Sequence, residues 1–159
     1  MSKASEEIAL LRAMFAGGLG QKAIITQHGG IAIRLTNKTG AASVKGTIVS
    51  ASEATDNAFM LQSVELDGIG AVYEDGVADG EECFVVIAGI AQVILKDTTA
   101  ATRGYWVQAS ATDGRAEVTT SPAGLAALVA GTHFKEIGHC LETVVAGTDV
   151  LAKIVMHFN

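Results

Sequence analysis

Two histidines and a cysteine near the C-terminus come nearest to a reactive or metal-binding motif. His133, His139 and Cys140 lie close together in the sequence. Histidine and cysteine are the ligands that zinc prefers, and a histidine can also activate a neighbouring thiol. We predict a strand over residues 134–143, and adjacent residues of a strand point to opposite faces. His139 and Cys140 are therefore not expected to act together, and the sequence predicts neither a metal site nor a catalytic residue here.

The remaining histidines and cysteines have structural interpretations. His157 lies near the end of the last predicted strand, where we expect a hydrogen-bonded structural role, and His28 lies between two short apolar segments. Cys83 and Cys140 are far apart, lack a CxxC spacing and lie inside apolar runs, which is typical of buried free thiols. A disulfide between them stays an open alternative.

Acidic residues are concentrated in the middle of the chain. Most of them adjoin glycines in predicted turns, where aspartate is favoured for its turn geometry. A calcium site needs converging oxygens, and the spacing is not that of an EF-hand loop. We expect a solvated acidic rim, formed by Asp67, Glu74, Asp75, Asp79, Glu81 and Glu82.

Motifs for phosphate, nucleotide or nucleic-acid binding are missing. The glycines of residues 17–20 (GGLG) follow a predicted helix, whereas a dinucleotide-binding loop follows a strand. The net charge is −6 and no basic cluster interrupts the sequence. Phosphate contacts need such a cluster, so we expect no nucleic-acid partner and no cofactor.

The N-terminal residues have the pattern of an amphipathic helix. Ser5 can cap a helix over residues 2–16, and apolar side chains recur on one face. The glycines of residues 17–20 would end this helix and form a joint. We interpret residues 1–30 as an N-terminal arm; alternatively, the helix packs on the main domain. The arm residues that we expect to contact a neighbouring protein are Ile8, Leu11, Met14 and Phe15.

From Ile31 onward the apolar residues alternate with polar ones, as in half-buried strands. About ten short strands follow at roughly ten-residue spacing, which is typical of a sandwich or barrel. We therefore predict a mainly β protein, a compact antiparallel β-barrel or sandwich with an N-terminal helical arm, whose β domain spans residues 31–159. The predicted strands are 31–36, 44–50, 58–64, 69–73, 83–88, 90–95, 105–109, 115–119, 134–143 and 150–158.

The composition indicates a protein that covers apolar surface by association. The chain of 159 residues is 49% hydrophobic and only 18% charged, with a mean hydropathy of +0.37. Either the core is large, or apolar surface is reserved for a partner or a homo-oligomer. The sequence contains no run of about 18 apolar residues, so we predict no membrane-spanning helix. No signal peptide is recognisable, so we expect the protein in the cytoplasm of the cell that makes it.

An ordered series of segments resembles the capsid decoration, or cement, proteins of tailed-phage heads. The resemblance covers roughly residues 31–159 and implies a β domain that binds the outer surface of the virion capsid and stabilises the head. It also implies the major capsid protein as partner, a homotrimer, and no enzymatic activity. Removing residues 1–30 is then expected to leave a folded domain that binds capsids poorly. The segments are 68–73 (GIGAVY), 78–80 (ADG), 85–93 (VVIAGIAQV), 102–104 (TRG), 109–116 (ASATDGRA), 133–143 (HFKEIGHCLET) and 146–158.

Two other functions stay open. A head fibre or receptor-binding module for glycan or protein would expose aromatic rings in a loop cluster, and Tyr73, Tyr105 and Trp106 are the candidates. A small enzyme would use Cys140 or the acidic residues, and its activity would be lost on Cys140→Ser.

Overall fold

A computed structural model describes residues 21–63, 67–119 and 136–157, which contain ten strands and no helix. The strands are short, except for the central β6, and turns with glycine or asparagine in a positive-φ conformation separate many of them. The strands are β1 (Ala23–Ile25), β2 (Gly30–Asn37), β3 (Ile48–Ala51), β4 (Ala58–Leu61), β5 (Gly70–Val72), β6 (Glu82–Ile94), β7 (Trp106–Ala109), β8 (Ala116–Thr119), β9 (Glu136–Cys140) and β10 (Leu151–Met156).

The ten strands form one sheet in the order β1-β2-β4-β3-β5-β6-β10-β9-β7-β8. Because β2 also pairs with β6, the strands β2, β4, β3, β5 and β6 are hydrogen-bonded in a closed cycle. On the other side of β6, a parallel bridge joins Leu95 to Ala116 of β8. The strands β10, β9, β7 and β8 thus form a second path along the sheet that ends in contact with the residue after β6.

β6 is the long strand that both halves of the sheet share. Its first part pairs with β2 and β5, and its second part pairs with β10. Gly89 lies where the two parts meet, with a φ of +74°, and a Cβ there would approach the carbonyl oxygen of Gly29 to 2.7 Å. A side chain would not fit at this crossing, which explains the glycine.

Alternate residues of β6 supply two hydrophobic clusters. Cys83 and Val85 pack with Phe59 and other side chains of β3 to β5 in the smaller cluster. Phe84 and Val86 face the larger cluster, which extends through β7, β9 and β10. The period of two along the strand therefore divides the core into two parts.

The predicted fold class is wrong in its antiparallel sheet and unsupported in its helical arm, although its mainly β character is confirmed. The sheet is mixed, since β2 runs parallel to β4 through the pairs Thr36↔Ala58 and Asn37↔Phe59. Apolar alternation predicts a strand but does not fix the direction of its neighbour, so the purely antiparallel expectation failed.

The N-terminal helical arm is unsupported, because the described residues contain no helix. The predicted helix at residues 2–16 lies outside the described ranges. Residues 21–30 are described, and there Ala23–Ile25 forms β1, which pairs antiparallel with β2. The domain division at residue 30 stays a prediction.

Within the three described ranges, no helix is long and apolar enough to cross a membrane.

Candidate functional site

The predicted interface residues lie outside the part of the chain that the structure describes. Ile8, Leu11, Met14 and Phe15 all precede residue 21, and His133 also falls in a range without description. Their predicted roles stay predictions.

Both cysteines are buried and free, as predicted. Cys83 lies on β6 and Cys140 on β9. Burial is the main cause that raises the pKa of each thiol. Cys140 is 2% exposed in the core, whereas the neighbouring His139 side chain is 33% exposed on the other face of β9. This confirms that the two side chains diverge, so His139 cannot activate the Cys140 thiol from this position.

Several of the acidic side chains accept hydrogen bonds from backbone amides of neighbouring strands and loops. Glu74 Oε2 accepts from the Phe84 amide at 2.9 Å. Asp75 Oδ1 accepts from the Lys45 amide at 2.6 Å, and Asp79 Oδ1 from the Gly40 amide at 2.8 Å. These three carboxylates fasten loops of the β2 to β6 half.

The edge strand β1 presents an exposed apolar pair with its neighbour β2. Ile25 and Ile31 are cross-strand partners, and they are 74% and 44% exposed. On the opposite face, Ile24 and its partner Ala32 pack in the larger core cluster. Among the described strands β1 pairs with β2 alone. Its outer edge and the two isoleucines therefore offer both backbone groups and apolar surface to another protein.

An ion-pair network holds the residues that precede β1 against the sheet. Lys22 Nζ lies 2.9 Å from Glu82 Oε1, and Arg34 Nη1 lies 3.5 Å from Glu82 Oε2. The hydrogen bond and charge of Lys22 are the main cause that lowers the pKa of Glu82. By strand alternation, this network lies on the face that carries Ile24 and Ala32, opposite the exposed isoleucine pair.

Other exposed apolar side chains lie elsewhere on the surface. Val145 is 83% exposed and Leu141 46% exposed, both in the loop between β9 and β10. Val44 and Leu61 are 51% and 37% exposed and line a shallow groove with Phe59. These positions serve as comparisons for the β1 surface.

Two of the aromatic residues proposed for a receptor-binding loop pack against other residues of the fold. Tyr73 packs against the larger core cluster, with Lys45 Nζ 5.7 Å from its ring centroid. Trp106 lies on β7 and packs against two histidines. This arrangement does not favour glycan recognition through these rings.

The structure brings together a group that sequence reasoning missed, which we call the His-Glu cluster: Glu136, His139 and His157. One ligating atom from each residue lies within 4.8 Å of the others. Glu136 Oε1 lies 2.8 Å from His157 Nε2 and 3.9 Å from His139 Nε2. The Glu136 side chain is only 7% exposed, and the two imidazoles are about one third exposed.

A β-bulge in β9 places Glu136 and His139 on the same face. Opposite β7, the register runs Trp106↔His139 and Val107↔Gly138, and then skips to Gln108↔Glu136. Ile137 is the additional residue, so the usual alternation is broken. A Cβ at Gly138 would approach Val155 O on β10 to 2.0 Å, so glycine permits the close approach of the two backbones.

β10 and β7 bring the second histidine and the tryptophan to this bulge. Val155 of β10 pairs with His139, so His157, two residues further, lies on the same face. The Trp106 ring centroid is 4.3 Å from that of His139 and 6.2 Å from that of His157. The glycine inside the predicted strand at residues 134–143 is the sequence signal for this bulge.

The comparisons with known proteins establish a likeness of fold. No protein-family model matches the chain, and no curated protein matches it. Among solved structures, the crystal structure of the head fibre gp8.5 N base of bacteriophage phi29 is similar, with a TM-score of 0.50 and 16% sequence identity. The similarity covers 79% of this chain and 92% of that chain.

Proposed function

We propose that this chain is a structural, non-enzymatic protein of a phage head, and specifically a decoration protein that binds the outer capsid surface. Its partner is the major capsid protein, and it acts as a homotrimer that stabilises the head. The fold likeness to a phage head fibre base carries the proposal, because it spans nearly the whole of that chain. The series of segments that resembles decoration proteins supports the narrower role.

The β1 edge is the attachment surface that we propose. Ile25 and Ile31 are exposed together, and β1 has an unpaired outer edge in the described part of the sheet. An extended capsid segment can add to such an edge through backbone hydrogen bonds. Residues 1–20 precede β1 directly and supply Ile8, Leu11, Met14 and Phe15 to the same partner.

The expected strength follows from the exposed area. Complete burial of an isoleucine side chain contributes about 1.5–3 kcal/mol. Ile25 is 74% exposed, so docking of this residue contributes about 1–2 kcal/mol, or roughly tenfold in affinity for each copy. Three linked copies multiply this factor, since the later contacts form at high effective concentration.

The test measures occupancy on heads assembled from the major capsid protein of the same phage. Purified chain is mixed with the heads, and the bound fraction is measured after sedimentation. We expect Ile25→Lys to lower the affinity for the heads, obtained from the bound fraction over a series of protein concentrations, by at least tenfold. Val145→Lys, at a more exposed position away from β1, should leave the affinity unchanged. Equal occupancy of the Ile25→Lys variant, or no binding of the unmodified chain, contradicts the proposal.

Deletion of residues 1–20 tests the arm separately. The deletion stops before β1, because removing residues 1–30 would also remove a strand that pairs with β2. We expect a folded protein with reduced occupancy on heads, and unchanged occupancy refutes the contribution of the arm. Light scattering tests the homotrimer, and a monomer at working concentration contradicts it.

A head fibre component is the second candidate, because the similar solved structure is a head fibre base. Both candidates attach to the head, but a fibre base carries a further projecting part. Electron microscopy separates them, since a decoration protein forms a low knob on the capsid and a fibre base supports an extended projection.

A further inference from the structure

We propose that Glu136, His139 and His157 form a binding site for a divalent transition-metal ion, with Zn²⁺ as the physiological candidate. Two imidazoles and one carboxylate are a known ligand set for zinc, and three protein ligands leave one position for water or a partner group. Imidazole ligands favour zinc, copper, iron and nickel over calcium and magnesium.

The distances are close to those that a zinc ion requires. With bonds of about 2.0–2.1 Å, the ligand atoms of a tetrahedral site lie about 3.4 Å apart. The contacts of Glu136 Oε1 are 2.8 Å to His157 Nε2 and 3.9 Å to His139 Nε2, one below and one above that separation. Side-chain displacements of about half an ångström bring both contacts to the required value. The ligand atoms of the third pair, His139 and His157, lie within 4.8 Å of each other.

The burial of the group fits a cation better than an open surface. The Glu136 side chain is only 7% exposed, so a metal ion bound to it would be largely shielded from solvent. His157 Nε2 is buried and has no hydrogen-bond partner among residues 21–63, 67–119 and 136–157, although Glu136 Oε1 lies close to it. A metal ion at this position would accept the lone pair of His157 Nε2, which otherwise lies buried beside Glu136 Oε1.

The backbone and the tryptophan orient the ligands in advance. The bulge at Ile137 and Gly138 turns Glu136 towards His139, which a regular strand would not do. Trp106 packs against the His139 ring at 4.3 Å and meets the His157 ring edge-on. Ligands that are held by rigid strands and packed rings lose little freedom when the ion binds.

The ion would fasten two neighbouring strands near the end of the described chain. Glu136 and His139 belong to β9, whereas His157 directly follows β10. A bound ion would therefore link the β9–β10 pair through side chains, in addition to the backbone ladder. Binding to the folded state alone would raise the thermal stability of the protein.

Trp106 makes the test direct, because it is the single tryptophan of the chain. The complete protein is treated with a chelator, exchanged into metal-free buffer and titrated with zinc chloride, while Trp106 emission and calorimetric heat are recorded. We expect saturable binding of one Zn²⁺ per chain, a change in emission and a higher Tm. Co²⁺ in the same site should give the visible absorption of a tetrahedral complex.

Substitutions locate the site. His139→Gln, His157→Gln and Glu136→Gln should each weaken Zn²⁺ binding by at least about 100-fold, since loss of even an outer-shell partner weakens metal binding by 10–100-fold. His28→Gln is the matched control, because His28 lies in the turn between β1 and β2, and it should bind as the unmodified chain does. Circular dichroism checks that each variant is folded.

Two results would overturn the proposal. One is a folded, unmodified chain that binds no Zn²⁺ at millimolar concentration, in which case the three residues form an ion pair only. The other is Zn²⁺ binding that persists in all three variants, because the ion would then occupy another place.

Discussion

Gly138→Ala is the substitution that most directly tests the bulge in β9. Gly138 lies opposite Met156 of β10, and its φ of +156° is one that side chains rarely adopt. A Cβ at this position would lie 2.0 Å from Val155 O, 2.9 Å from Val155 C and 3.1 Å from Met156 Cα. These are backbone atoms of a paired strand, so β9 and β10 must separate before alanine fits.

The expected loss has two parts. Overpacking against a rigid neighbour costs about 1–3 kcal/mol, and a sparsely populated backbone conformation costs about 1–3 kcal/mol. We expect a combined loss of about 2–6 kcal/mol, against a total of about 5–15 kcal/mol for a domain. Gly104→Ala is the matched control: its φ is +81°, but no atom lies within 4 Å of the added Cβ. Only the backbone contribution of about 1–2 kcal/mol applies there.

Urea unfolding measures both variants. Circular dichroism follows the sheet, and Trp106 emission follows the His-Glu cluster beside the bulge. A lower midpoint with an unchanged slope reports a loss of stability. If Gly138→Ala is no less stable than Gly104→Ala, the close contact between β9 and β10 is wrong, and the placement of Glu136 beside His139 fails with it.

Two further predictions concern a surface ion-pair network and the buried thiols. Arg115→Gln should lower the unfolding free energy by about 1–2 kcal/mol in urea denaturation, because Arg115 contacts Leu95 O, Asp97 and Asp149. The exposure of both aspartates limits the contribution of the two ion pairs. Lys38→Gln should change the unfolding free energy little, and equal effects of the two substitutions would contradict this role of Arg115. Cys83 and Cys140 should react slowly with a thiol reagent in the native protein and rapidly in denaturant, and fast native labelling of either would contradict their burial. Since burial raises the pKa of both thiols, the folded state favours their neutral form. The unfolding free energy should therefore be retained below pH 9.0, the ordinary thiol pKa, and decrease as the pH rises above it. A Cys83→Ala, Cys140→Ala double variant should show a smaller decrease.

Strand positions followed well from the sequence, because alternation reports which residues are half-buried. The predicted strands at 31–36, 105–109 and 115–119 lie within one or two residues of β2, β7 and β8. Strand pairing did not follow, since β2 meets β4 in parallel and β6 through a long-range antiparallel ladder. Such pairings depend on the packing of the whole core, to which a local pattern is insensitive.

The His-Glu cluster shows the same limit at the level of side chains. The sequence correctly predicts that His139 and Cys140 point to opposite faces of their strand. The spacing of three residues between Glu136 and His139 also predicts opposite faces in a regular strand. One additional residue at Ile137 reverses that conclusion. The contribution of His157 depends on the β9–β10 register, which pairs Val155 with His139. Gly138 signalled an irregularity, but the sequence did not show its direction.

Cryo-electron microscopy of the phage particle that carries this chain tests the proposed role most directly. The account predicts density for the sheet on the outer capsid surface, in threefold groups, with Ile25 and Ile31 against the major capsid protein. Particles without this chain on the shell, or with the β1 edge turned fully towards solvent, would contradict it.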